Sequence, residues 1–211
     1  KMEEINNRIQ REICRNTIQE LSDENLLDKY QTCESMKNQI IKLEKILDKY
    51  TDESIKQSII NEYMLHLIPA GTKGVIRGNR FNKIVEEYIN NIHLDSQRFE
   101  IRFESKHNIY STTEIPDWYI LDKYTNRILI GMNQLDLWNG GQQLNRGFKY
   151  LNSEMTENKK ILCVVCNEIV IKSEKNKTYK LFELGFKNDS LCYLNNLHNI
   201  ISAYFQQRIK L

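Results

Sequence analysis

Two strand patterns separated by a short turn constrain this chain more than any other feature of its sequence. The first pattern starts at Pro116-Asp117, and the second ends at Asn133-Gln134. Between them, residues 122–126 are turn formers of the kind that connect the strands of a hairpin. Because an antiparallel hairpin brings the start of its first strand beside the end of its second, we expect Asp117 to lie next to Asn133 and Gln134.

A carboxylate placed beside side-chain amides indicates a chemistry. Hydrolysis of a phosphodiester needs a hard divalent cation, which stabilises charge on the phosphoryl oxygens and lowers the pKa of the attacking water. Mg²⁺ prefers carboxylate oxygen together with retained waters. The hairpin is therefore typical of a metal-dependent phosphodiesterase in which Asp117 is the first metal ligand.

The composition limits the classes to which the protein can belong. A chain of 211 residues, with 40% apolar and 27% charged side chains, is long enough for one domain with a real core, or for one domain and a small appendage. It has no run of about 20 apolar residues and no apolar segment at its start, so we expect a soluble, cytoplasmic protein. Five cysteines, an odd number, do not indicate a disulfide framework. The net charge of +2 leaves room for a locally basic cleft.

Residues 1–66 differ in character from the rest of the chain. They contain neither Gly nor Pro and carry apolar residues at helical spacing, so we predict two or three helices. Hydroxyl residues followed by acids, at 22–25 and 51–54, are typical helix starts. We interpret this part as a helical N-terminal region that packs on the core or dimerises, with a DNA-clasping arm as the alternative. Residues 67–211 then form the catalytic core.

Residues 68–80 hold three of the eight glycines of the chain and three basic side chains. We predict a loop that presents backbone amides and cations to phosphates, with a plain surface loop as the alternative. The residues expected to bind are Lys73, Arg77, Asn79 and Arg80. A helix is predicted to follow from Phe81, with its apolar residues on one stripe and Glu86 on its flank or back.

The remaining pattern predicts a mixed α/β fold. Residues 99–106 alternate with period two, as in a half-exposed strand, whereas 119–122 and 127–131 are more continuously apolar, as in strands covered on both faces. The other predicted elements are a helix over 144–151, strands over 161–166 and 178–184, and a helix over 191–211. Together they predict a mixed central β-sheet flanked by helices.

The order of helix, strand, Pro-Asp strand, turn, third strand and helix resembles the PD-(D/E)xK nuclease superfamily, and within it the type II restriction endonucleases. Pro116 and Asp117 fall on the Pro-Asp of that pattern. Its acid-x-lysine element falls on Met132-Asn133-Gln134, which has neither the acid nor the lysine. The resemblance covers roughly residues 70–170, and the amino-acid sequence of residues 136–150 is similar to that of restriction enzymes. It implies a restriction endonuclease-like core that cleaves double-stranded DNA with Mg²⁺, for which Mn²⁺ substitutes, and that works as a homodimer on both strands.

The resemblance and the chemistry together give each candidate a role. Asp117 is the first metal ligand, and Asp136 or Glu86 is the second, because the expected acid is missing. If the third strand continues through residue 136, its period of two places Asp136 on the face of Gln134. Gln134 orients the water or binds a phosphate oxygen without the positive charge of lysine, and Asn133 accompanies it in the catalytic set. In the competing interpretations Asp117 caps a turn, Asp136 caps the next helix and Glu86 is a solvated helix residue.

Residues 138–149 are rich in side chains that read bases. Asn and Gln bond adenine, and Arg and Lys bond guanine or phosphate, so we predict that this segment contacts DNA. An ordinary polar loop and helix is the alternative. The residues concerned are Trp138, Asn139, Gln142, Gln143, Asn145, Arg146 and Lys149.

Two other patterns are interpreted as structural. Glu104-Ser-Lys106 also spells acid-x-lysine, but it precedes the Pro-Asp and lies on a half-exposed strand, so we interpret it as a decoy. Cys163 and Cys166 are predicted to be buried core residues, because no second ligand pair stands at zinc-site spacing.

Two other functions compete with a nuclease on the sequence alone. The missing acid and lysine suggest a non-catalytic DNA-binding protein on a degenerate nuclease fold. A structural or interaction module, in which the N-terminal helices do the work, is the third interpretation.

Overall fold

The computed structural model describes residues 12–14, 34–49, 52–67, 70–107, 114–135, 151, 156–166 and 177–206. The chain divides into two compact units, residues 13–80 and residues 81–211 together with 1–12. The division falls inside one continuous helix, which begins in the first unit and ends in the second.

The first unit contains two helices, α1 (Glu34–Leu47) and α2 (Glu53–Leu67). Helix α2 is capped by Asp52, whose Oδ1 accepts hydrogen bonds from the backbone N–H of Ser54 at 2.9 Å and from its hydroxyl at 2.7 Å. These two hydrogen bonds lower the pKa of Asp52. The cap satisfies one of the free amides of the first turn, which confirms the helix start predicted at residues 51–54.

Helix α3 (Ala70–Asn90) takes the place of the predicted glycine-rich loop, so that prediction was wrong for residues 70–80. A glycine inside a helix costs up to about 1 kcal/mol relative to alanine. However, Lys73 and Arg77, which favour helices, stand between the glycines, as does Ile76, which is buried. Since each residue added to a formed helix gains a hydrogen bond, the helix anchored from Phe81 onward extends back across the glycines.

The second half of α3 carries the predicted apolar stripe. Phe81, Val85 and Ile89 are fully buried, and Ile92 beyond the helix end is buried as well. Glu86 is exposed on another side of the helix. The helix predicted from Phe81 is confirmed.

The second unit is built on a five-stranded mixed sheet with strand order β1-β2-β3-β4-β5. Strands β1 to β3 form an antiparallel meander, and β4 and β5 continue the sheet in parallel with β3. The strands are β1 (Phe99–Phe103), β2 (Trp118–Asp122), β3 (Arg127–Gln134), β4 (Lys159–Val165) and β5 (Leu191–Tyr193). The mixed α/β class predicted from the sequence is therefore confirmed, and so are the strands at 119–122, 127–131 and 161–166. The strand predicted over 99–106 is present but ends at Phe103.

The β2–β3 hairpin turns through residues 123–126. Asn126 has a φ of 54°, in the left-handed region that Asn tolerates better than most residues. Trp118 pairs with Gly131 and Asp122 with Arg127, so the start of β2 lies beside the end of β3. All of β2, and β3 from Ile128 to Met132, are buried, as expected of strands covered on both faces.

The C-terminal part differs from the prediction in two places. Residues 178–184 belong to helix α4 (Lys177–Lys187), not to a strand, because Leu181, Phe182 and Gly185 recur at helical spacing and are buried. The helix predicted over 191–211 is shorter, since its first residues form β5, followed by a 3₁₀ turn (Leu194–Asn196) and helix α5 (Leu197–Phe205). Within the described ranges, no helix has both the length and the apolar character that crossing a membrane requires. Of the helix predicted over 144–151, the structure describes Leu151, which is helical and buried.

Candidate nuclease site

A polar cluster lies where β2 begins and β3 ends. Asp117 directly precedes β2, is half-buried, and donates its backbone N–H to the carbonyl of Gly131 at 3.1 Å. Its Oδ2 accepts a hydrogen bond from the backbone N–H of Asn133 at 2.6 Å. The prediction that the hairpin brings Asp117 beside the end of the neighbouring strand is confirmed.

Asn82 joins this cluster from helix α3. Its Nδ2 donates to Oδ1 of Asp117 at 2.9 Å, and its Oδ1 accepts from Nδ2 of Asn133 at 3.1 Å. Oδ1 of Asn133 in turn accepts from the indole Nε1 of Trp118 at 3.1 Å. Four hydrogen bonds thus join Trp118, Asn133, Asn82 and Asp117, which we call the carboxylate–amide network. A helix and two neighbouring strands therefore meet at one carboxylate.

Trp118 is fully buried and covers Gly131 on the neighbouring strand. A Cβ at Gly131 would lie 1.8 Å from Cε2 of that indole, a distance that no side chain tolerates. The absence of a side chain at Gly131 therefore lets the indole lie close to β3 and reach Asn133 two residues further along.

The negative charge of Asp117 affects the pKa of a thiol on strand β4. Burial, and after it the negative charge of Asp117, raise the pKa of the Cys163 thiol to about 12. The thiol therefore stays protonated at neutral pH and is no nucleophile. Cys163 and Cys166 are both fully buried, as predicted for core residues.

The predicted catalytic residues fare differently in the structure. Gln134, the last residue of β3, is half-buried and follows directly on Asn133. Glu86 lies one helical turn beyond Asn82 and is exposed. Asp136 lies outside the described residues, and the regular strand ends at Gln134, two residues before it. The strand continuation that would place Asp136 on the face of Gln134 is interrupted at Leu135, which is a bend.

One residue that the sequence analysis set aside lies beside the cluster. The backbone N–H of Glu104 donates to the carbonyl of Asp117 at 3.0 Å, just past the Phe103–Trp118 pair of the β1–β2 register. Glu104 is exposed and has a φ of 46°, in the left-handed region. Glu104, the acid of Glu104-Ser-Lys106, is thus a neighbour of Asp117 across the sheet, joined to it by a backbone hydrogen bond.

The residues predicted to bind DNA fall into two groups. Lys73, Arg77 and Arg80 are spaced four and three residues apart on α3, which places them on one side of the helix, and Asn79 is exposed. The Nε atoms of Arg77 and Arg80 are buried without a hydrogen-bond partner in the described part of the chain. The second group lies outside the described residues: Trp138, Asn139, Gln142, Gln143, Asn145, Arg146 and Lys149.

The donor set limits how a metal ion can be held. Among the described residues, no group of three or more His, Cys, Asp or Glu side chains is placed to hold a metal. The cluster offers the Asp117 carboxylate beside side-chain amides. Such a set fits Mg²⁺, which proteins often hold through one or two carboxylates with retained waters and substrate phosphates. It does not fit a zinc site, which needs several nitrogen or sulfur ligands.

Sequence reasoning missed two members of the network, Asn82 and Trp118. Asn82 stands four residues before Glu86, so both lie on one side of the helix, and their spacing alone gives no reason to prefer Asn82. Trp118 follows the Pro-Asp directly, and it joins the network through its indole N–H. Which polar atoms meet across the sheet depends on the register of the strands and on the placement of α3, which no local pattern encodes.

Comparison with known proteins gives no further guide to this site. No family model, no curated protein and no solved structure matches the chain.

Proposed function

We propose that this protein is a Mg²⁺-dependent endonuclease that cleaves double-stranded DNA site-specifically, of the type II restriction kind. The observation that carries the proposal is the half-buried carboxylate of Asp117, held by Asn82 and Asn133 at the point where two strands and a helix meet. A carboxylate with a fixed orientation and access to solvent is the feature that a phosphodiesterase of this kind requires.

The order of elements supports the proposal. Helix α3 is followed by the antiparallel strands β1 to β3 and then by β4, parallel to β3. The sequence resemblance to the PD-(D/E)xK superfamily implies the same order of helix, strand, Pro-Asp strand and third strand. Asp117 also occupies the position, just before β2, that this resemblance gives to the acid of the Pro-Asp pair.

Each residue of the site has a role in the proposed reaction. When bound, Mg²⁺ would stabilise charge on the phosphoryl oxygens and lower the pKa of the attacking water. Asp117 would hold the Mg²⁺ ion. Asp136, Glu86 and Glu104 are the acids to test as a second ligand, because each is close in sequence or in strand register to a residue of the site. Gln134, the other predicted catalytic amide, lies on the opposite face of β3 from Asn133, so it is given no role in the proposed reaction.

DNA contacts are assigned to charged and amide side chains. Lys73, Arg77 and Arg80 would neutralise backbone phosphates, while the amide-rich residues of 138–149 would read base edges. If the three cations contact phosphates, replacing each by Gln lowers the slope of log affinity against log salt by about 0.9. Lys187, an exposed lysine at the end of helix α4, is the control and leaves the slope unchanged. We further propose a homodimer, because cutting both strands of a palindrome calls for two related sites.

Plasmid DNA incubated with the protein and Mg²⁺ or Mn²⁺ tests the proposal. We expect discrete fragments with either cation and intact plasmid in the presence of EDTA. Intact plasmid under all metal conditions would contradict the proposed activity. Fragments that form equally well with EDTA would contradict the metal requirement.

A second candidate, a non-catalytic DNA-binding protein on a degenerate nuclease fold, is favoured by one observation. The part of the chain that the structure describes has no cluster of three potential metal ligands. A gel shift of the plasmid without cutting, at every metal concentration, would favour this function over cleavage.

A further inference from the structure

The direction of every hydrogen bond in the carboxylate–amide network is fixed by its two ends. The indole N–H of Trp118 can only donate, so the oxygen of the Asn133 amide must face it. Nδ2 of Asn133 then donates to Oδ1 of Asn82, which leaves Nδ2 of Asn82 to donate to Asp117. An ionised carboxylate can only accept hydrogen bonds, so the series of hydrogen bonds ends at Asp117. Each group in the series then donates or accepts as its chemistry allows.

Both oxygens of Asp117 are thereby held. Oδ1 accepts from Asn82, and Oδ2 accepts from the backbone N–H of Asn133. An ionised carboxylate has about four acceptor positions, and these two bonds fix the plane of the Asp117 carboxylate. Both of these donors are neutral amide groups, one from a side chain and one from the backbone.

We propose that Asn82 is a positioning residue of this site: it orients the carboxylate of Asp117 from helix α3, the helix on which Glu86 was predicted to be a metal ligand. This inference rests on the proposed nuclease function. Outer partners that orient a metal-binding carboxylate typically change metal affinity or activity 10–100-fold when removed. Asn82 makes two hydrogen bonds within the network, whereas Glu86 lies exposed one turn away.

Two substitutions separate the two hydrogen bonds of Asn82. Asn82→Ala removes both the donor to Asp117 and the acceptor for Asn133. Asn82→Asp keeps the shape and the acceptor, but a carboxylate cannot donate to Asp117 and repels it. Exposed Asn90 on the same helix provides the matched controls Asn90→Ala and Asn90→Asp.

The indole N–H of Trp118 reports on the network without any cleavage. The chain has two tryptophans, so a ¹⁵N–¹H spectrum of the metal-free protein shows two indole signals, which Trp138→Phe assigns. We expect Asn82→Ala to shift the Trp118 signal, because Asn133 loses the acceptor that fixes its amide. Asn82→Asp should leave this signal close to its wild-type position, and both Asn90 variants should leave it unchanged.

Cleavage as a function of Mg²⁺ concentration is the second readout. We expect Asn82→Ala to lower the cleavage rate at limiting Mg²⁺ by about 10–100-fold, while Asn90→Ala matches the wild type. Thermal unfolding of each variant verifies that it is folded, and if Asn82→Asp does not fold, Asn82→Ala carries the test alone.

The outcomes distinguish this inference from the function on which it rests. If the wild type cleaves and the Asn82 variants match their Asn90 controls in both the indole signal and the Mg²⁺ dependence, the positioning role is wrong and the nuclease stands. A shifted indole signal with unchanged cleavage would also overturn it, because the network would then be structural only. If the wild type does not cleave DNA with any metal, both proposals fall.

Discussion

Strand β2 has an aspartate at each end, and the two are held in different ways. Asp122, at the inner end of the hairpin turn, is 1% exposed, and its Oδ2 accepts from Nη2 and Nε of Arg98 at 2.6 and 3.1 Å. Asp117, at the other end, is half-buried and accepts from the Asn82 and Asn133 amides. The same strand therefore carries one carboxylate whose charge is offset by a guanidinium and one that is oriented by neutral amides.

This difference separates a structural carboxylate from a candidate functional one. The hydrogen bonds from Arg98, with smaller contributions from Thr125 and the Tyr124 backbone, lower the pKa of Asp122 to about 2. A paired, buried carboxylate of this kind stabilises the fold and has little capacity left for a ligand. The two amide donors fix the orientation of the Asp117 carboxylate, which is only half-buried.

Gly131→Ala would disturb the carboxylate–amide network around Asp117. It has the largest expected effect on stability. The new Cβ would lie 1.8 Å from the Trp118 indole, so the ring must move and release Asn133. We expect a loss of about 2–3 kcal/mol in the free energy of unfolding, measured by urea titration.

Gly78→Ala is the matched control, because a Cβ at Gly78 meets nothing within 4 Å in the described part of the chain. In a helix this substitution should be neutral or stabilise by up to about 1 kcal/mol. Equal effects of the two substitutions would contradict the close approach of Trp118 to β3.

Asp122→Asn would remove the paired carboxylate at the turn end of β2. Because the folded pKa of Asp122, about 2, lies below the usual 3.8, its ionisation stabilises the fold at pH values above about 4. That stability amounts to about 2 kcal/mol and is lost as the pH falls from about 4 through about 2. Urea titrations at pH 6, 4 and 3 should show that the difference between wild type and variant narrows with falling pH. A difference that stays constant over this range would exclude Asp122 as its source.

Tyr119→Phe removes a hydrogen bond from β2 at a residue between the two aspartates. The Tyr119 hydroxyl donates to Oε1 of Glu100 at 3.2 Å, and burial is the main cause of its raised pKa. We expect a loss of about 0.5–1 kcal/mol on unfolding and unchanged DNA cleavage, since this bond involves neither aspartate. A large fall in cleavage at equal folded fraction would mean that the site extends beyond the carboxylate–amide network.

The hairpin was predictable because the signals that form it are local. Turn formers at 122–126 between two apolar runs fix the register, and the register places Asp117 beside Asn133. Residues 70–80 were mispredicted because glycines normally interrupt helices, whereas here the packing of Phe81, Val85 and Ile89 anchors a helix that extends over them. The short run at 178–184 fits both periods, and its helical form depends on packing against neighbouring elements.

The network itself could not be predicted from the sequence. It requires Asn82, 35 residues before Asp117, to approach it from a different element. Spacing within one helix or strand carries no information on such a contact. The aspartate and its neighbour across the hairpin were therefore accessible to sequence reasoning, and the residue that orients the aspartate was not.

A paired cleavage assay on Asp117→Asn and Asp122→Asn tests the central claim most directly. Both substitutions remove one negative charge from the same strand, and rates are compared on plasmid DNA with Mg²⁺ at neutral pH, at equal folded fraction. We expect Asp117→Asn to lower the rate at least about 10³-fold, as loss of a metal-binding carboxylate should, and Asp122→Asn to cleave like the wild type. Wild-type cleavage by Asp117→Asn would contradict the claim that this carboxylate carries the reaction.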